Sequence, residues 1–208
     1  YDVVRLDHFR GFESYWAVPA QDDTAKNGHW LPGPGWDFVR TLREKLPELS
    51  FIAEDLGYLT PEVTKLQKDS GYPGMKVMEF AFDSREPSDY LPHRYAANCV
   101  CYLGTHDNMT MQQWFDEAKE ADVAYAKEYM GLNEEEGFVW GMVRGGMSSV
   151  AETFVAQMQD YLGLGAQGRM NFPGTLSDAN WTWRATKGSF SPELAARIRG
   201  VTKLYGRL

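Results

Sequence analysis

Three short segments of the chain each close an apolar run on a carboxylate. They are Val3-Val4-Arg5-Leu6-Asp7-His8, Leu49-Ser50-Phe51-Ile52-Ala53-Glu54-Asp55 and Val100-Cys101-Tyr102-Leu103-Gly104-Thr105-His106-Asp107. A run of β-forming residues ending in an acid reads as a buried strand that delivers the acid to a sheet edge. Three such strands, separated by helical stretches, can converge their acids at the C-terminal ends of a parallel sheet. Such a set can cleave and re-form a glycosidic bond with retention, which needs a carboxylate nucleophile and a carboxylic acid about 5–5.5 Å apart. Neighbouring strands lie about 4.8 Å apart, so Asp7 and Glu54, side chains of different length at the tips of successive strands, can reach that separation.

The residues beside these acids sharpen the reading. Arg5 lies two positions before Asp7, so on an extended strand it projects to the same side, where a cation keeps a nucleophilic carboxylate ionised. His106 could hydrogen-bond sugar hydroxyls while Asp107 stabilises positive charge at the anomeric carbon. Two other readings compete. A single strand-terminal acid often serves as a helix cap or loop anchor. Asp7, His8, Glu54, Asp55, His106 and Asp107 are also all plausible metal ligands, although no HxH or HxxxH pair occurs among the four His. Trp30, in a Gly- and Pro-rich loop after the first strand, offers either core packing or a flat apolar platform for a sugar face.

Composition bounds the alternatives. The chain has 208 residues, 43% hydrophobic and 14% aromatic, with seven Trp, enough for one globular unit with an ample core. A net charge of −8 leaves no basic stripe to neutralise phosphates, which disfavours a nucleic-acid partner. No apolar run approaches the roughly 18 residues needed to span a bilayer, and no signal peptide is visible. Cys99 and Cys101, two apart on a strand-like run, read as reduced packing thiols in a reducing compartment. Tyr1 leads directly into the first strand without an initiator Met, which reads as a piece of something longer.

The elements that must position these residues alternate strand and helix, the pattern of a parallel α/β fold. Strands are expected over Val3–Asp7, Phe51–Glu54, Met75–Phe80 and Asn98–Thr105, with a long loop over Phe9–Gly35. Helices are expected over Trp36–Lys45, from Thr60-Pro61 (a cap residue followed by Pro at the first helical position), over most of 109–152 with a break at Leu132-Asn133, and over Pro192–Tyr205. The segment Thr153–Leu162 fits either a helix end or a fifth strand over Phe154–Met158, and Gly163–Thr175 reads as a loop.

Taken together, Arg5-Leu6-Asp7-His8-Phe9-Arg10-Gly11-Phe12, Ala53-Glu54-Asp55-Leu56-Gly57, Pro73-Gly74-Met75-Lys76-Val77, Gly104-Thr105-His106-Asp107-Asn108 and Arg169-Met170-Asn171-Phe172-Pro173-Gly174-Thr175 resemble the 4-α-glucanotransferase (amylomaltase, disproportionating enzyme) family of the α-amylase clan. The resemblance runs in order along essentially the whole chain. It implies the C-terminal portion of a TIM (β/α)8 barrel, with residues 1–208 one domain holding strands four to eight. It also makes Gln159–Gly163 the end of the last barrel strand. By the same resemblance Asp7 is the nucleophile, Glu54 the general acid/base and Asp107 the transition-state stabiliser. Arg5, His8, Asp55, His106 and Asn171 bind sugar or orient the acids, and Phe80 falls near the acceptor side. The implied reaction transfers α-1,4-glucan segments between maltooligosaccharides through a covalent glucosyl-Asp intermediate, without metal or cofactor. The setting is cytoplasmic, or plastidic for a plant-type homologue. The resemblance covers only the C-terminal two-fifths of such enzymes, so the implied partners include the N-terminal half of the barrel. The alternative to catalysis is a sugar-binding half-barrel or proteolytic fragment, with an open sheet edge at Val3–Asp7 that would seek a partner.

Overall fold

In the computed structural model, which describes residues 1–208, the chain runs β1 (Val3–Leu6), β2 (Ser14–Ala17), β3 (His29–Pro32), α1 (Gly35–Lys45), β4 (Ser50–Ala53), α2 (Pro61–Ser70), β5 (Gly74–Val77) and β6 (Cys99–Tyr102). It continues through α3 (Met111–Glu117), α4 (Glu120–Met130), α5 (Phe138–Ser148), β7 (Thr153–Val155), α6 (Met158–Tyr161) and α7 (Pro192–Leu204). Three sheets result, with strand orders β1-β4, β2-β3 and β5-β6-β7. The chain divides into two compact units, residues 1–75 with 98–100, and residues 76–97 with 101–208.

In the first unit β1 and β4 pair in parallel, Val3 opposite Ser50 and Leu6 opposite Ala53. Their inward side chains join a core of Phe9, Val39, Phe51, Ala53, Leu66 and Tyr72, against which Val4, Leu6, Phe12, Leu42 and Leu49 pack. The helix signals act as expected. Thr60 caps α2 by accepting from the Val63 N–H, and Gly71 ends it in the left-handed conformation. The expected 9–35 loop instead holds an antiparallel hairpin, Ser14 opposite Pro32 and Trp16 opposite Trp30. Its strands are exposed or only half-buried, so they carry no apolar alternation. Residues 18–28 rather than a tight Gly turn join them, and the usual hairpin signal is missing.

In the second unit α5 buries Val139, Met142, Val143 and Met147, together with three glycines. A Cβ at Gly146 would stand 2.1 Å from the Phe154 ring, so β7 can approach the helix only because position 146 is glycine. Thr110 caps α3 by accepting from the Gln113 N–H, and the buried Asp160 accepts from the Met111 N–H at 2.7 Å. Three expectations are corrected here. The strand from Met75 ends at Val77, because Met78–Phe80 turns as a 3-10 helix and the Glu79 N–H bonds the Leu103 carbonyl. The last strand is Thr153–Val155, whose Val155 carbonyl accepts from Leu103 N. Gln159–Gly163 is therefore not a strand end, since Met158–Tyr161 is a helical turn. Cys99 and Cys101 are both buried in β6.

Candidate active site

Asp7 and Glu54 each follow the last paired residue of their strand, Leu6 and Ala53, so equal register delivers both acids to the same end of the parallel pair. The backbones stay joined beyond the strands. Glu54 N–H donates to the Leu6 carbonyl at 3.0 Å, and Phe9 N–H donates to the Glu54 carbonyl at 2.9 Å. Arg5, two residues earlier on the same side, bonds Asp7 Oδ1 at 2.8 Å, and the Asp7 side chain remains open to solvent. Backbone donors hold the Glu54 carboxylate: His8 N–H to Oε2 at 2.7 Å and Leu56 N–H to Oε1 at 2.9 Å. Each oxygen keeps a second lone pair through which a proton can be taken or given.

His8 has φ 47 and ψ 51, a left-handed conformation uncommon for a residue with a side chain. That turn aims its N–H at Glu54. The His8 ring would come within 2.9 Å of a Cβ on Gly11, so Gly11 leaves the space it needs. Asp55 faces the chain itself. Its Oδ1 accepts from the Met75 N–H at 2.7 Å, and its Oδ2 would lie 2.3 Å from a Cβ on Gly74. Asp55 therefore fixes the start of β5.

In the second unit, the turn after β6 is built around Asn108, whose Oδ1 accepts from both the N–H and the hydroxyl of Thr105 at 2.8 Å. This turn presents His106 and Asp107. Asn171 donates to Asp107 Oδ1 at 2.7 Å, and Arg169 donates to the Asp107 carbonyl at 3.0 Å. His106 Nε2 stands 3.4 Å from Asp107 Oδ2, and the Trp181 ring lies 4.9 Å from the His106 ring. Asn171, Arg169 and Trp181 all come from the segment after α6, so one loop clasps the His106-Asp107 pair.

The structure thus joins Arg5 to Asp7, His8 to Glu54 and Asn171 to Asp107. Five of the eight expected site residues belong to the first unit, and His106, Asp107 and Asn171 to the second. Trp30 is half-exposed, but the Arg10 guanidinium covers one of its faces at 4.2 Å. Phe80 is exposed and packs edge-on against Tyr90. No group of three or more His, Cys, Asp or Glu comes together to hold a metal ion. No helix is long and apolar enough to cross a membrane.

Glu79, in the 3-10 turn after β5, is a feature that sequence reasoning did not find. Its carboxyl is pushed up to about 7, chiefly by burial and slightly by Asp160. The Met109 N–H, Arg169 and the Asn108 side chain oppose that shift. Asp160 is raised by burial to about 6. One oxygen of each acid, Glu79 Oε2 and Asp160 Oδ2, is buried without a hydrogen-bond partner. Asp160 lies outside the apolar-run-then-acid pattern, whereas Glu79 follows Met75-Lys76-Val77-Met78 but is succeeded by Phe80, so it reads as part of an expected strand over Met75–Phe80 rather than as its terminal acid.

A family model described as 4-alpha-glucanotransferase matches residues 1–189. A 4-alpha-glucanotransferase of Clostridium butyricum is 48% identical over 208 residues, all of this chain and 42% of the relative. That of Thermus thermophilus is 43% identical over 215 residues, all of this chain and 43% of the relative. The chloroplastic/amyloplastic 4-alpha-glucanotransferase of Arabidopsis thaliana is 39% identical over 211 residues, with 36% of its length covered. Among solved structures, the amylomaltase from Streptococcus agalactiae in complex with acarbose superimposes with a TM-score of 0.94 at 38% identity. That match covers all of this chain and 42% of the amylomaltase. The chain spans about two-fifths of the length of the bacterial relatives named here.

Proposed function

The chain belongs to the 4-alpha-glucanotransferase family, and from that premise we propose that it supplies the reacting carboxylates of an enzyme that moves α-1,4-glucan segments between maltooligosaccharides. The observation that carries the proposal is the matched register of β1 and β4. It sets Arg5-paired Asp7 and backbone-held Glu54 at the ends of adjacent parallel strands. In this reading residues 1–208 supply strands four to eight of a (β/α)8 barrel, and the preceding strands come from an N-terminal half.

Asp7 attacks the anomeric carbon, its Oδ–C1 bond forming as the glycosidic C1–O bond breaks, and Glu54 gives its proton to the departing sugar oxygen. The nucleophile must be accessible, and the Asp7 side chain, oriented by Arg5 at 2.8 Å, is open to solvent. Glu54 next removes the proton from the 4-hydroxyl of an incoming glucan. The new O4–C1 bond forms as the bond to Asp7 breaks, and two inversions give net retention. Asp107, clasped by Asn171 and Arg169, stabilises positive charge on the ring. His8 and His106 complete the sugar-facing set, and Asp55 acts from behind it by fixing the start of β5 through the Met75 N–H. The acarbose bound to the Streptococcus agalactiae amylomaltase supports a glucan-like ligand for this chain.

In the full-length protein, Asp7→Asn should abolish disproportionation of maltotriose, read as the disappearance of both glucose and longer products. Turnover near the parent's rate would overturn the assignment of Asp7.

A further inference from the structure

His8 and Trp181 are the two non-glycine residues with positive φ, at 47° and 65°. The first is explained by the donor it aims at Glu54. The second aims its N–H at the Met170 carbonyl, which fixes the loop but leaves the indole itself uncovered. Trp181 is more than half exposed, so burial of the indole does not drive the chain into a conformation unfavourable for a bulky residue.

The surrounding loop holds it there nonetheless. Trp181 N–H donates to the Met170 carbonyl at 2.7 Å. Its neighbour Asn180 accepts from the Phe172 N–H at 3.1 Å and donates to the Thr175 carbonyl and hydroxyl at 3.2 and 3.1 Å. Thr182 ties its hydroxyl back to the Ala179 carbonyl at 2.8 Å. The result is an indole tilted 40° against the His106 ring at 4.9 Å, on the same loop that sends Asn171 to Asp107. Strain imposed by many local bonds on an exposed aromatic beside a polar pair points to a ligand surface.

We propose that Trp181 is a specificity-determining residue, an aromatic platform for a glucosyl ring bound beside His106 and Asp107, which also holds the His106 imidazole in place. The proposal rests on the glucan-transfer reading above. A glucose ring has an apolar face of axial C–H groups that a flat indole can cover, while its hydroxyl edge is left to His106 and Asp107. The exposed part of the indole is the surface available for that contact.

The test uses the full-length protein with Trp181→Ala, Trp181→Gly and Trp181→Phe. The readouts are maltotriose kinetics, acarbose binding by calorimetry and the imidazole proton resonances of His106. Trp181→Gly relieves the backbone strain and should fold at least as well as the parent, so a loss in that variant reports the missing ring. We expect Ala and Gly to weaken acarbose binding and raise KM by about tenfold, with a smaller effect on kcat, and Phe to recover most of the loss. The His106 resonances should shift in Ala and Gly as the indole ring current disappears. If the parent transfers glucan and binds acarbose while all three variants match it, the platform is refuted and the glucan-transfer reading survives. If the parent does neither, both fall.

Discussion

Glu79 should make the protein less stable at mildly basic than at mildly acidic pH, and Glu79→Gln should remove that dependence. The carboxyl is largely buried after β5 and is raised from an ordinary 4.5 to about 7, first by desolvation. A buried carboxyl whose proton is held more tightly in the folded state leaves the folded protein with more bound protons than the unfolded one between these two values. Stability therefore falls as pH rises through that window. The favourable contribution of the protonated acid is complete below about 4.5 and lost above about 7. At about 1.4 kcal/mol per tenfold change in proton affinity, the difference across the window is about 3 kcal/mol.

Urea unfolding of parent and Glu79→Gln at pH 5 and pH 8.5 measures this directly, because other titrating groups are common to both proteins. At pH 5 the folded parent already carries the neutral acid, and the two should differ little. At pH 8.5 the variant should have gained about 3 kcal/mol relative to the parent. A parent-to-variant difference that stays constant between the two pH values would refute the reasoning. So would a carbon-13 titration of Glu79 with its midpoint near 4.5.

Gly74→Ala would place a Cβ 2.3 Å from Asp55 Oδ2, forcing the carboxylate off the Met75 N–H. Thermal melting should show a loss of about 2 kcal/mol, and maltotriose turnover should fall with it. Asp160→Ala would leave the Met111 N–H at the head of α3 without its buried acceptor, at a cost of about 1–3 kcal/mol by urea unfolding. Asp160→Asn, which keeps an acceptor but cannot ionise, should retain stability at pH 5 and exceed the parent above about pH 6, the value to which burial raises this acid.

What was legible in the sequence is what carries charge at the end of an apolar run. Asp7 and Glu54 stand one residue past the observed strand ends, so the short runs Val3–Leu6 and Ser50–Ala53 place them correctly to within a residue. The helix announced by its cap was equally plain, Thr60 before α2. The hairpin of β2 and β3 was hidden because neither strand has a buried face. The last strand was visible at Phe154-Val155 as one of two readings but was carried too far, because a helical turn starts at Met158, and the family resemblance moved its end to Gln159–Gly163. Periodicity over so few residues does not separate strand from helix. Trp181 and Glu79 were hidden for another reason: their roles depend on a backbone angle and a burial that only the tertiary structure creates. Arg169 likewise bonds a carbonyl 62 positions away, a pairing that no local pattern encodes.

The geometry of Glu54 follows from the core as much as from the acid itself. The donor to its Oε2 is the N–H of His8, and that N–H points correctly only while His8 is left-handed. Such a conformation costs about 1–2 kcal/mol, and nothing in the His8 side chain offsets it, since no side-chain cap bond forms there. The next residue, Phe9, is fully buried and packs edge-on against Phe12 and Tyr72 at 5.8 and 6.4 Å. Burying a Phe side chain contributes about 1.5–3 kcal/mol, and aromatic packing adds to it. The packing of Phe9 therefore outweighs the strain at His8, and the Phe9 N–H closes the turn by bonding the Glu54 carbonyl. Folding of the first unit sets the His8 turn, and the turn holds the carboxylate. The Glu54 geometry should therefore be present without any ligand.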